Sequence, residues 1–226
     1  MIFDRGLDKK IKSYQKSFQK YGVDSKALKW ASKKATEIRY KEIVADFDFK
    51  NHKFRKRDCF AFARNDNKRE ICKNKKILDV GCGFADILPY ILKKGKDFKY
   101  TGVDIVPEFI GVSKKRYPKH RFIVRDYFAD PLKRRYDIII SSGALNSNVK
   151  RALVSKKRAI KTMFDHTDFA LAFNMAGGYP QPRNKKKYKV YYVNSLDILK
   201  FCLTLTKKVI FRHHYRKKDF TIVMFK

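Results

Sequence analysis

An α/β fold with a doubly wound, mostly parallel, seven-stranded sheet is the fold class this sequence predicts. Three observations carry the prediction. From Lys76 onward, short apolar runs rich in β-formers alternate with helical patterns. The first run ends on a Gly-x-Gly turn that leads into a helix. The last two runs are separated only by the charged turn Arg216-Lys217-Lys218-Asp219, which makes them a hairpin with an antiparallel final strand.

The elements follow in order. Residues 1–73 contain no convincing buried strand and read as an N-terminal helical extension followed by a basic connector. Asp24 or Ser25 is expected to cap a helix running through Leu28, Ala31, Ala35, Ile38 and Ile43, positions at roughly helical spacing. Trp30 is expected to pack that helix on the main domain. Asn51 to Lys76 is a cationic, aromatic-dotted connector that includes His52-Lys53-Phe54-Arg55-Lys56-Arg57. Residues 74–226 form the main domain. Its expected parallel strands are Ile77–Val80, Tyr100–Asp104, Phe122–Arg125, Tyr136–Ile140 and Phe169–Phe173, short and apolar as doubly buried strands are. Helices are expected over Ala85–Lys93, from Pro107, and over Val149–Phe164, where Leu153, Ile160, Met163 and Phe164 share a face. Val209–Tyr215 and Phe220–Phe225 complete the hairpin.

Bulk properties bound the function. The 226 residues, 44% hydrophobic, suffice for one sizeable core with a modest extension. No stretch approaches the roughly 18 consecutive apolar residues that span a bilayer. Asp4 and Arg5 stand where a secretory signal needs its apolar run. A cytoplasmic protein is expected, with no membrane partner. Cys59, Cys72, Cys82 and Cys202 show no C-x-x-C pairing and no zinc spacing, so they read as free thiols and no metal site is expected. The formal charge of +33 implies attraction to polyanions. Lysine spread along the whole chain fits a compositional origin; the shortage of compensating acids fits a functional one.

Chemistry concentrates in Ile77-Leu78-Asp79-Val80-Gly81-Cys82-Gly83-Phe84-Ala85-Asp86. Gly81 and Gly83 allow a tight turn and close approach of a ligand to the main chain. A dinucleotide site would place a glycine where Asp86 stands, and a carboxylate there repels a pyrophosphate. Asp79 and Asp86 together suit a ligand with positive charge. The next strand ends at Asp104, about 20 residues beyond the glycines, where an acid takes ribose hydroxyls. Ile105 follows and can cover an adenine face. The third ends at Asp126 and Tyr127, and Asp126 can accept from an adenine amino group. Singly, Asp79 could be a helix cap and Asp126 a turn residue. Together the acids line one crevice at the carboxyl ends of adjacent strands.

These residues resemble the class I S-adenosylmethionine-dependent methyltransferases, a Rossmann-like family. Leu78-Asp79-Val80-Gly81-Cys82-Gly83-Phe84 is similar to the family's first motif, Val103-Asp104 to its second, Arg125-Asp126 to its third and Tyr136–Gly143 to its fourth. The resemblance covers about residues 74–226, with the hairpin as its reversed seventh strand. It implies S-adenosylmethionine as cofactor. Asp79, Gly81 and Gly83 would hold the methionine end, Asp104 the ribose, and Asp126 with the Tyr127 amide the adenine. Ala85 replaces the usual third glycine, a small change expected to fit. The fourth motif lacks the Asn/Asp-Pro-Pro-Tyr segment used on exocyclic base amines.

The acceptor side is expected on the loops after the fourth and fifth strands. Candidates are Ser141, Ser142, Asn146 and Asn174, with Ser141 on the cofactor side of the group. His213, His214 and Tyr215 are possible bases, His214 foremost; the alternative is simple in–out alternation on an edge strand. Basic segments at 52–57, 150–161 and 183–189 could contact a nucleic acid, RNA in preference, with Phe54 and Tyr188 stacking on bases. They could equally be solvated faces. Methyl transfer to RNA or another polyanion, transfer to a small metabolite, and non-catalytic nucleic-acid binding all stay open at this point.

Overall fold

The computed structural model describes residues 5–30, 32–47, 75–184 and 189–226. The connector segment at 52–57, Cys59, Cys72, Ala31 and Tyr188 lie outside the described residues.

The sheet is built from β1 (Lys75–Val80), β2 (Phe98–Asp104), β3 (Arg121–Val124), β4 (Tyr136–Ser142), β5 (Thr167–Gly178), β7 (Val209–Arg212) and β8 (Asp219–Phe225). Their order is β3-β2-β1-β4-β5-β8-β7, and a two-residue β6 (Val193–Asn194) adds to the end of β5. Pairings among β1–β5 are parallel; β8 runs antiparallel to both β5 and β7. Strand order reverses between β1 and β4, the crevice position where ligands bind in open sheets.

Alternation along the strands creates two cores. Ile77, Ile138 and Ile140 face one side; Leu78, Val80 and Ile139 face the other. α5 (Ala152–Asp165) and α6 (Ser195–Leu205) cover the second side with Ile160, Met163, Ile198 and Cys202. α2 (Lys33–Val44) and α3 (Leu88–Leu92) cover the first, where Tyr40, Ile43, Val44 and Phe47 join Leu88 and Ile91. Each such buried aliphatic or aromatic side chain contributes about 1.5–3 kcal/mol. The extension is thus part of the main core. Arg39 of α2 donates to Asp219 of β8 at 2.6 Å, both buried, and the Arg39 guanidinium lies over the Trp30 ring.

The N-terminal residues depart from the sequence expectation. A helix absent from it, α1, runs over Arg5–Tyr21. The next helix starts at Ser32, whose hydroxyl accepts from the Ala35 amide at 3.2 Å. Asp24 caps only a turn, accepting from the Lys26 amide at 2.7 Å. The reason is geometric: Gly22 (φ 58) and Lys29 (φ 60) break the helical path between Tyr21 and Ser32. Two further bounds shift. The expected Ala85–Lys93 helix shortens to α3 because residues 85–87 form turns. The strand expected over Val209–Tyr215 stops at Arg212. α4 (Pro107–Arg116) starts on its proline as expected. No described helix is long and apolar enough to cross a membrane.

Candidate active site

The loop after β1 is shaped by backbone. Gly81 has φ +76, and a Cβ there would lie 2.6 Å from the Ala144 Cβ. The Gly81 and Cys82 amides both donate to the Val103 carbonyl, at 2.8 and 3.0 Å, which binds the loop to the tip of β2. Ala85 fits by volume, being fully buried, but it adopts φ 56. The position therefore demands the conformation that glycine takes freely and alanine takes at a cost of about 1–2 kcal/mol.

Asp104 completes the tie. One carboxylate oxygen accepts from the Gly83 amide at 2.9 Å, the other from the Val106 amide at 3.0 Å. Burial raises its pKa, opposed by these amides and by the Lys10 ammonium. Asp79 is buried and accepts from the Tyr100 phenol at 2.6 Å; burial foremost, and the Asp104 charge, push its carboxyl up to about 7. Asp126 does serve as a turn residue: one oxygen accepts from the Phe128 and Ala129 amides at 3.0 and 3.2 Å. Tyr127 is buried with its hydroxyl on His166 Nδ1 at 3.0 Å, so its side chain belongs to the core. Asp86 does not supply free negative charge as expected, because Arg116 pairs with it at 2.7 Å. Cys82 packs in the core, and burial raises its thiol well above the ordinary range.

Ser141, Ser142, Asn146 and Asn174 gather at the ends of β4 and β5, where they lock the loop between them. Ser141 Oγ donates to the Val80 carbonyl at 2.9 Å. Asn174 Oδ1 accepts from the Gly143 amide at 3.1 Å and its amide nitrogen donates to Ser142 Oγ at 3.3 Å. Asn146 Oδ1 accepts from the Ala176 amide at 2.8 Å. His214 is not brought into this group. It follows the end of β7, the outermost strand, three places from β4, and both His213 and His214 are exposed. Neither lies on the strand, so the in–out alternation also fails.

A cover of N-terminal residues lies over these loops. Tyr14 and Phe18 of α1 pack on Phe109 at 5.8 and 6.0 Å between ring centroids, and Phe18 also meets Phe84. Leu28 lies against Gly83, where an added Cβ would approach it to 3.0 Å. Trp30 lies against Gly143 (φ +77), where an added Cβ would come within 2.4 Å of the ring. Ile105 packs on the same cluster. Lys10 is in the field of both Asp104 and Asp126; burial lowers its pKa and the two acids oppose that. Lys10 and Tyr14 were missed in the sequence. The signal was the spacing of Leu7, Ile11, Tyr14, Phe18 and Tyr21, diluted by lysines.

Of the basic segments, 150–161 is α5 with its lead-in. Lys150, Arg151, Arg158 and Lys161 are exposed. Lys156 instead points inward and donates to the Ser147 carbonyl at 2.7 Å; burial lowers its pKa to about 8. Of 183–189, residues 185–188 lie outside the described residues.

A family model for a methyltransferase domain matches residues 77–166, the stretch from β1 to the end of α5. Over that stretch the chain is similar to the S-adenosylmethionine-dependent methyltransferases. The chain is 26% identical over 153 residues to a candidate methyltransferase of Mycobacterium tuberculosis, covering 66% of this chain and 91% of that one. Among solved structures, the chain resembles a DhpI–SAH complex with a TM-score of 0.61 at 9% identity, over 96% of this chain and 95% of that one. An S-adenosylmethionine-dependent methyltransferase from Clostridium acetobutylicum gives a TM-score of 0.53 at 16% identity, over 84% and 96% of the two chains. At these identities the solved structures establish the fold.

Proposed function

We propose that the chain binds S-adenosylmethionine in the crevice above β1, β2 and β4 and methylates a small acceptor that enters beside the loop after β4. The residues present suit this cofactor. Gly81 (φ +76) and Gly83 (φ +54) turn the chain tightly at the tip of β1, where a side chain would run into Ala144 or Leu28. Asp104 and Asp126 are half-buried, and both act on one cation, the Lys10 ammonium. In this reading Asp79, Gly81 and Gly83 serve the methionine end, Asp104 and Ile105 the ribose and adenine face, and Asp126 with the Tyr127 amide the adenine edge. Ser141 steadies the loop through its bond to Val80.

When bound, the cofactor supplies an electrophilic methyl group on a sulfonium. The chain's own task is then to hold an acceptor in line and to keep water away. Ser142, Asn146 and Asn174 act as positioning residues, since their hydrogen bonds fix the β4 loop against β5.

The cover carries the small-acceptor reading. Leu28 on Gly83 and Trp30 on Gly143 place the N-terminal residues across the mouth of the crevice. An acceptor reaches the methyl group only past them. RNA is the second reading, supported by the +33 charge and the exposed cations of α5. Titration with S-adenosylhomocysteine tests the cofactor site: Asp104→Ala should weaken binding by about 1–3 kcal/mol, leaving ligand hydroxyls unpaired. Unchanged affinity refutes the assignment. Transfer of labelled methyl into total RNA, compared with transfer into a small-molecule extract, separates the acceptors. Label confined to RNA ends the small-acceptor reading.

A further inference from the structure

An open groove of about 480 Å³ lies on the outer side of the cover, between α1 and the 22–30 turn, with Lys189 closing it. Lys16, Lys20, Lys26, Lys29 and Lys189 line it, with Trp30 at one end, and none of its nine lining residues is acidic. From this we infer that the groove is a phosphate-binding subsite of the acceptor. The inference rests on the acceptor entering past Trp30, as proposed above.

Three observations support it. Five ammonium groups without a lining carboxylate repel one another, and a bound anion relieves that repulsion. Lysines act as point charges toward phosphate and need no planar partner. Lys29 illustrates the crowding. Its ammonium donates to Ser13 Oγ at 2.7 Å and sits 3.9 Å from the Tyr14 ring centroid. Burial and the neighbouring charges of Lys189 and Lys10 all lower its pKa. An anion reverses the last two effects.

Position is the second observation. The groove ends at Trp30, whose ring lies on Gly143 at the tip of β4, and Tyr14 beneath Lys29 is in the field of Asp104. The groove and the cofactor crevice are therefore opposite sides of one cover. Lys189 belongs to the strand-connecting segment that hydrogen-bonds the β4 loop through the Asn148 amide at 2.9 Å. Size is the third: small-ligand sites commonly occupy about 300–1,000 Å³.

Inorganic pyrophosphate, titrated calorimetrically without cofactor at fixed ionic strength, is the probe. The groove variant K16Q/K20Q/K26Q/K189Q removes four exposed lysines. The control K96Q/K99Q/K114Q/K119Q removes four exposed lysines from the β2–α4 side. Expected is saturable one-to-one binding to the wild type, weakened at least tenfold in the groove variant and less than twofold in the control. Equal weakening in both variants, or no saturable binding to the wild type, overturns the inference. A ten-nucleotide single-stranded RNA identifies the source of the phosphate. Displacement of pyrophosphate by the RNA assigns it to a nucleic-acid backbone. RNA binding that weakens equally in both variants, with pyrophosphate specific to the groove, assigns it to a small phosphorylated compound. S-Adenosylhomocysteine binding by the wild type is measured separately. Its absence refutes the cofactor reading and leaves the pyrophosphate result standing on its own.

Discussion

Replacing Asp79 by Asn tests the idea that the site holds a carboxylate at a cost in stability. Asp79 is 2% exposed, and its one hydrogen-bonded partner described above is the Tyr100 phenol at 2.6 Å. Its pKa rises from 3.8 to about 7, chiefly through burial. The sign follows from proton counting. Between about pH 4 and 7 the folded protein keeps a proton on Asp79 that the unfolded chain has released, so stability falls as pH rises through that window and levels off above it. At about 1.4 kcal/mol per pH unit, the ionised form is disfavoured by on the order of 4 kcal/mol at pH 8. Asn keeps an acceptor for Tyr100 and never ionises. Asp79→Asn should therefore be more stable than the wild type, by a margin that grows about 2–3 kcal/mol between pH 5 and pH 8. Urea unfolding followed by circular dichroism at several pH values measures it. Other acids titrate in both proteins and cancel in the difference. Parallel pH profiles, or a variant less stable throughout, would refute the reasoning. Weaker binding of S-adenosylmethionine by the stabilised variant would identify what the carboxylate is kept for.

Gly143→Ala combines left-handed strain with a 2.4 Å approach to Trp30, so a loss of about 2–3 kcal/mol is expected. Trp30 is the only tryptophan, and its emission should shift toward that of an exposed ring as the cover lifts; an unchanged spectrum contradicts this. Ala85→Gly relieves strain of about 1–2 kcal/mol but loses a buried methyl and gains unfolded-state entropy of similar total size. It should stay within about 1 kcal/mol of the wild type, whereas Ala172→Gly, buried in β5, should cost about 1.5–2 kcal/mol in thermal unfolding. Arg39→Met should cost about 2 kcal/mol, less than a fully orphaned carboxylate because Arg216 still pairs with Asp219 at 2.6 Å. Adding Asp219→Asn should recover part of the loss; a further loss would contradict the electrostatic account.

The sheet was legible because its strands are buried on both faces. Ile138, Ile139 and Ile140 are at most 1% exposed, and no helix would hide all three so fully on a domain of this size. The acids at strand ends were legible because a Gly-x-Gly turn fixes where the next strand tip must come. What the sequence hid was long-range pairing. Asp86 looked free because Arg116 stands 30 residues away. Asp24 and Ser32 are equally good caps by residue type, and the choice is made by two left-handed residues between them. Lys156 falls between Leu153 and Ile160 on the apolar face of α5, but a lysine inside that stripe reads as solvated until its carbonyl partner at Ser147 is seen. The place of His213 and His214 is hidden because their β-like surroundings extend to Tyr215, whereas the strand ends at Arg212.

The Arg39–Asp219 contact also orders events in time. The two residues are 180 positions apart, and α2 packs on β5 and β8 as well as on β4. At roughly 5–20 residues per second, a ribosome needs about 10–40 s to pass from one to the other. Throughout that interval α2 has Tyr40, Ile43 and Val44 ready and no completed sheet to receive them. The helices made first dock last, and until they do, the newborn chain presents a bare face of Ile140, Ala172 and Val223 to its surroundings. Substitutions that slow the β7–β8 hairpin should for that reason lower the yield of folded protein more than they lower its final stability.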